Sequence, residues 1–145
     1  PYFLPGHNLR KLLCEAVQRG VNTIVVMPIH SDVKFVDIIR RHYLGILHQA
    51  GVKIYFYTQS NLHSKGLMID NQIFSISSAN FDYRSFRYQY ELALIGEETS
   101  MIPQLRQHFD STLKHCTSFN YQEWKNRSIF KRLSEVILLP FRYLF

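Results

Sequence analysis

Cysteine is scarce in this chain of 145 residues: Cys14 and Cys116 are the only two. They lie far apart and outside any C-x-x-C or Cys/His spacing, which excludes a disulfide scaffold and a zinc module. Acidic residues are the minority charge, 11 against 17 Lys and Arg, leaving a formal net charge of +6. No apolar run reaches the ~18 residues that a spanning helix needs. Gly/Ser linkers and internal repeats are also missing. With 46% hydrophobic and 19% charged residues, the composition excludes a disordered or low-complexity segment. The length suits one domain with a real core. Pro1 stands where an initiating Met would be, and no signal-like segment follows it. A piece of a longer protein is therefore expected.

What is present alternates between helix and strand. Leu9, Leu12, Leu13, Ala16 and Val17 recur at helical spacing, with Asn8 as the expected N-cap and Gly20 as the stop. Val21–Met27 is a β-branched run closed by Pro28 and reads as a buried strand. A second helix, capped by Ser31 or Asp32, presents Val36, Ile39, Tyr43, Ile46, Leu47 and Ala50, and ends at Gly51. Val52–Thr58 then alternates as a strand. This order predicts an α/β fold with helices packed on a sheet. Further on, His63–Ile69 and Ile73–Ser78 read as two strands reversing at Asp70-Asn71, and Tyr90–Ile95 as another. Ala79–Gln89 is too irregular to assign. Ser100 opens a helix carrying Met101, Ile102, Leu105, Phe109 and Leu113, with Pro103 tolerated in its first turn.

The hairpin carries the chemistry. Residues two apart in a strand share a face, so His63 and Lys65 point together. A reversal centred between Asp70 and Asn71 sets His63 opposite Ser78, with Asn80 beside them; a bulge in the turn would break this register. Imidazole, ammonium, hydroxyl and amide then converge at the open end of one hairpin. That set suits a tetrahedral oxyanion such as phosphate: lysine supplies charge, serine and asparagine supply neutral donors. Histidine near neutrality can attack phosphorus or carry a leaving-group proton. Asp70 sits in the turn, an odd number of residues from His63, so geometry does not aim it into the pocket. Glu91, opening an apolar run, is either solvated or paired with a positive group such as a histidinium. No metal or cofactor is expected, because the sequence offers no carboxylate cluster for Mg²⁺.

HSKGLMID, His63 to Asp70, followed by SSAN, Ser77 to Asn80, resembles the H-x-K-x4-D and G-S-x-N elements of the phospholipase D superfamily. PYFLP, NFDYRSFRYQYELAL and the basic aromatic tail are similar to the C-terminal half of a bacterial cardiolipin synthase. The resemblance implies a phospholipase D-like half, a mixed β-sheet flanked by helices, covering residues 1–117 with its motif in 58–85. It also implies a phosphohistidine mechanism in which one histidine attacks phosphorus and another protonates the leaving alcohol. The nucleophile is assigned to the first half of two-motif members, which leaves His63 the general acid/base. Lys65 and Asn80 would hold phosphoryl oxygens with Ser78 assisting, Asp70 would support, and Glu91 would orient a catalytic histidine. Ser77 replaces the usual glycine of the second element, a change a strand tolerates.

The same resemblance implies an active site shared between two motif-bearing halves, so a second half, or a second copy, is an expected partner. Residues 118–145 form a basic, aromatic tail in which Ile129, Leu133, Val136 and Ile137 share a helical face that Pro140 interrupts. Such a segment either lies in a membrane interface or docks on the core. The leading expectation is a phosphatidyltransferase making cardiolipin from phosphatidylglycerol at the bacterial inner membrane. Its expected partners are an anionic phospholipid and the membrane surface, not nucleic acid. The alternative is a phosphodiesterase of the same superfamily that cleaves nucleic acid as a single-motif homodimer, which the positive charge would also suit.

Overall fold

The computed structural model describes residues 1–60 and 62–145. The elements run α1 (His7–Gln18), β1 (Ile24–Pro28), α2 (Lys34–Gln49), β2 (Lys53–Tyr57), β3 (Gly66–Ile69), β4 (Ile73–Ser77), α3 (Tyr83–Arg87), β5 (Ala93–Gly96), α4 (Met101–Leu113), β6 (Cys116–Ser118), α5 (Tyr121–Lys125) and α6 (Ile129–Leu138), closed by a 3₁₀ turn over Leu139–Leu144. The architecture is mixed α/β, as the alternating pattern predicts. The strands form two three-stranded sheets, β1-β2-β6 and β3-β4-β5.

The first sheet holds the core. β1 and β2 pair in parallel through the right kind of crossover helix, α2, and β6 adds antiparallel to β2. Met27, Leu44, Leu47, Val52, Ile54 and Phe119 pack together with Phe3, and a second cluster joins Leu4, Val36, Ile39 and Tyr43. α2 lies between the two clusters and contributes to both. Its first turn is tied down by ionic contacts: Asp37 accepts from the Ser31 amide and meets Arg40 at 3.1 Å.

Several boundaries differ from expectation. The α1 N-cap is Gly6 and not Asn8, and that of α2 is Val33. Ser31 still serves this end, since its hydroxyl accepts from the Val33 amide at 3.3 Å and donates to the Val33 carbonyl at 2.9 Å. Gly20 and Gly51 stop their helices at φ +86° and +97°, as their positions predict. The strand expected at Tyr90–Ile95 starts three residues later, leaving Glu91 ahead of it. The segment Ala79–Gln89 contains α3, whose N-cap Asp82 accepts from the Ser85 amide at 2.7 Å.

The hairpin register is shifted by one residue. Asp70 and Asn71 both adopt positive φ, 51° and 53°, as a tight reversal of this type requires. Gln72 then adds an extra residue before Ile73 pairs with Ile69. Lys65 therefore faces Ser77, whose amide donates to its carbonyl at 3.1 Å, and His63 does not face Ser78. One bulged residue flips the side-chain parity of the partner strand.

The tail rests on the body. The Trp124 indole lies over Gly45 and donates to the Arg41 carbonyl at 2.7 Å; a Cβ on Gly45 would collide with its ring. Glu135, 1% exposed, takes a two-pronged ion pair from Arg127 at 2.8 and 2.9 Å.

Candidate active site

His63 and Lys65 lie just ahead of β3, and Ser78 and Asn80 lie just past β4, so both pairs emerge at the same end of the hairpin. The Lys65 ammonium donates to His63 Nδ1 at 2.9 Å and to the His63 carbonyl at 2.8 Å. An ammonium that donates to Nδ1 leaves the imidazole's own proton on Nε2. His63 is exposed. Burial lowers the Lys65 pKa, opposed by Glu91 first and then by Asp32 and Asp82.

Ser78 links β4 to the segment ahead of β5. Its amide donates to the Leu92 carbonyl at 3.0 Å, its oxygen accepts from the Leu92 amide at 3.0 Å, and its hydroxyl donates to Glu91 Oε2. The Ser78 hydroxyl, then that of Ser85 and the Lys65 charge, holds the Glu91 carboxyl below the usual carboxylate range. The Glu91 carboxylate is thus fixed by the Ser78 hydroxyl while it remains open to solvent. The Asn80 amide nitrogen of the backbone donates to Ser85 Oγ at 3.1 Å, whereas its side-chain Oδ1 is buried with no partner among the described residues.

Asp70 stands apart. Five residues of extended chain separate it from Lys65, about 16 Å at strand rise. It lies exposed in the reversal at the far end of β3. The structure brings His63, Lys65, Ser78, Asn80 and Glu91 to one end of the sheet and leaves Asp70 at the other. Two supporting residues escaped the sequence reading, Asp82 and Ser85. An Asp followed three residues later by a residue whose amide it caps is a recognisable helix start, but the short α3 has too few apolar repeats to show itself. Among the described residues, no three His, Cys, Asp or Glu side chains form a group able to hold a metal ion.

The family model for the "Cardiolipin synthase, PLD-like domain" matches residues 1–113. The chain belongs to this phospholipase D-like family. It is 33% identical to a cardiolipin synthase of Clostridium perfringens over 95% of its own length and 29% of that protein's. It is 35% identical to one from Oceanobacillus iheyensis, over 94% of the chain and 29% of the relative. The chain thus spans under a third of the curated relatives it matches. Among solved structures, Nuc of Salmonella typhimurium, a phospholipase D family member, superposes with a TM-score of 0.68 at 16% identity, over 82% of this chain and 78% of that one. NucT of Helicobacter pylori gives 0.65 at 19% identity, over 81% and 78%. These two likenesses carry the fold of the phospholipase D-like domain.

Proposed function

We infer that this phospholipase D-like domain is one half of a phosphatidyltransferase of the cardiolipin synthase type. The observation that carries the reading is the Lys65–His63 contact, set at one sheet end with Ser78, Asn80 and Glu91. In the proposed reaction a histidine of a second motif-bearing half attacks phosphorus, and the phosphorus–oxygen bond to the glycerol of one phosphatidylglycerol breaks. His63 gives its Nε2 proton to that departing oxygen. The acceptor hydroxyl of a second phosphatidylglycerol then attacks the phosphohistidine, and His63 takes back the hydroxyl's proton. The histidine is released, and cardiolipin and glycerol are the products. Lys65 and the Asn80 amide bear on the non-bridging oxygens, where negative charge gathers. Glu91 orients the opposite histidine, held in place by Ser78.

In this reading residues 1–117 are the catalytic half and residues 118–145 its membrane-facing tail, at the bacterial inner membrane. α6 buries Glu135 and turns Ile129, Phe130, Leu133, Val136 and Ile137 outward, beside Lys131 and Arg132. An apolar stripe flanked by basic residues suits an anionic lipid interface. No helix among the described residues is long and apolar enough to cross a membrane.

A lipid assay on the whole protein tests the reading. His63→Ala is expected to abolish cardiolipin formation, and full production by that variant would overturn it. A second reading, a single-motif phosphodiesterase acting on nucleic acid as a homodimer, draws on the solved relatives, which match over 78% of their own length. DNA cleavage by the 145-residue chain without lipid turnover would establish that reading in place of the first.

A further inference from the structure

Three arginines and three tyrosines from four elements meet at the closing 3₁₀ turn. Arg142 of that turn donates to the Tyr143 hydroxyl at 2.7 Å and to the Tyr43 hydroxyl of α2 at 3.3 Å. Its guanidinium carbon lies 4.7 Å from the centre of the Tyr143 ring and 5.8 Å from that of Tyr83, in α3. Arg87 of α3 lies 5.4 Å over the same Tyr83 ring, and Arg10 of α1 lies 4.6 Å over Tyr43. Arg142 therefore shares Tyr43 with Arg10 and Tyr83 with Arg87. The Tyr83 and Tyr143 rings cross edge to face at 4.7 Å.

No carboxylate balances this group. Arg40, Arg106 and Arg127 each meet an Asp or Glu at between 2.8 and 3.1 Å. Arg10, Arg87 and Arg142 form no ion pair among the described residues, and Arg142 Nε has no acceptor there. Like charges gathered on neutral rings repel one another, and a ring face offsets little of that. A phenol takes the place of the missing anion: the Arg142 hydrogen bond first, then its charge, draw the Tyr143 hydroxyl below the usual tyrosine range. The group is also reachable, since Arg87 and Tyr143 are exposed and Arg10 and Arg142 are half-buried. Around Arg142 the turn is apolar, with Phe141 47% and Leu144 64% exposed, and it continues directly from α6.

We propose that Arg10, Arg87 and Arg142 form a binding site for the phosphate of an anionic phospholipid, apart from the hairpin that carries His63 and Lys65. This site rests on residues 118–145 being a membrane-facing tail, and adds the headgroup chemistry that the tail meets. Guanidinium forks match phosphate oxygens, which are stronger acceptors than the phenols now engaged. With the phosphate held there, the acyl chains lie over Phe141 and Leu144. A soluble phosphate ester would leave those side chains in water. The bound lipid pins the 3₁₀ turn, and through Tyr43 and Tyr83 the body of the domain, to the membrane surface.

Dihexanoyl-phosphatidylglycerol, kept below its micelle concentration and titrated into the 145-residue chain, tests this by NMR of the Tyr83 and Tyr143 rings. Saturable shifts of both rings are expected, and their absence would overturn the site. Glycerol 3-phosphate should bind at least about tenfold more weakly for want of acyl chains. Equal binding would make this a site for soluble phosphate esters, and a stronger response to duplex DNA would make it a nucleic-acid contact; either overturns the lipid assignment. Arg142 also anchors the turn, so the exposed Arg87 supplies the cleaner variant: Arg87→Gln should weaken lipid binding about fivefold. Lys53→Gln, which removes the same charge from β2, should change it less than about twofold. Unchanged affinity in Arg87→Gln, or an equal loss in Lys53→Gln, would overturn the proposal. Phosphatidylcholine vesicles with about 30% phosphatidylglycerol separate the two readings. If Arg87→Gln binds them as the parent does, the headgroup site falls and the membrane-facing tail stands; if the parent binds none, both fall.

Discussion

The two sheets of this domain have the same number of strands and opposite characters. β1-β2-β6 is sandwiched by helices and buries Met27 and Ile54 to 2% exposure. β3-β4-β5 buries Phe74 but leaves Leu94 at 56% and Ile95 at 68% exposed. The first sheet is a product of burial and supplies stability. The second carries the catalytic candidates at its open end and has little core of its own. A site made of polar groups that must meet a substrate cannot also be the place where apolar area is removed from water. The fold assigns the two tasks to different sheets.

This division predicts that damage to one sheet is read as activity and damage to the other as stability. The largest effect is expected at the candidate site: Lys65→Met in the whole protein lowers turnover of the proposed lipid substrate by about a thousandfold, as removal of a phosphate-binding charge does. Its thermal midpoint should stay within about 2 °C of the parent, because Lys65 belongs to neither core cluster. A midpoint drop comparable to that of a core variant would break the contrast. Leu47→Ala strikes the other sheet's core, where Leu47 is 0% exposed. A loss of about 3 kcal/mol in denaturant unfolding is expected.

A smaller effect sharpens the electrostatics. Ser78→Ala removes the hydroxyl that contributes most to lowering the Glu91 pKa. The Glu91 carboxyl should then titrate closer to the ordinary carboxylate range, visible in ¹³C NMR of its side chain, and activity should fall by about tenfold. The sign follows from the lowered folded-state pKa: the Ser78–Glu91 bond stabilises the fold above the unfolded carboxylate pKa and loses that contribution as pH falls through the lowered one. Ser78→Ala should flatten that acid-side slope. The smallest effect is expected on the exposed face, where Leu94→Thr should change unfolding free energy by less than about 0.5 kcal/mol in the isolated chain.

The motif residues were legible because chemistry leaves its mark at fixed sequence spacing. His63, Lys65, Ser78 and Asn80 were named from two short runs, and the structure sets them at one sheet end. Their register was not legible. The extra residue at Gln72 changes which residues face each other, and a polar residue in a loop carries no periodic signal of it. Glu91 shows the same limit. As one carboxylate in an apolar run it had two readings, and neither named the contact it makes with the Ser78 hydroxyl, thirteen positions away. α6 shows it in reverse. Its helical stripe was plain in the spacing of Ile129, Leu133, Val136 and Ile137, yet an amphipathic stripe does not say which side meets the protein. The Arg127–Glu135 ion pair and the Trp124 anchor decided that, and they turned the apolar side outward.

By itself, then, the sequence determined the alternation of helices and strands, the residue types of the candidate site and the family. These depend on local periodicity and on short fixed spacings, which any chain carries in linear form. Tertiary structure alone decided the division into two sheets, the register of the hairpin, the Ser78–Glu91 contact and the direction of α6. Each depends on which distant segments share a hydrogen-bonding edge or a buried contact, and that follows from the free energy of the whole packed chain.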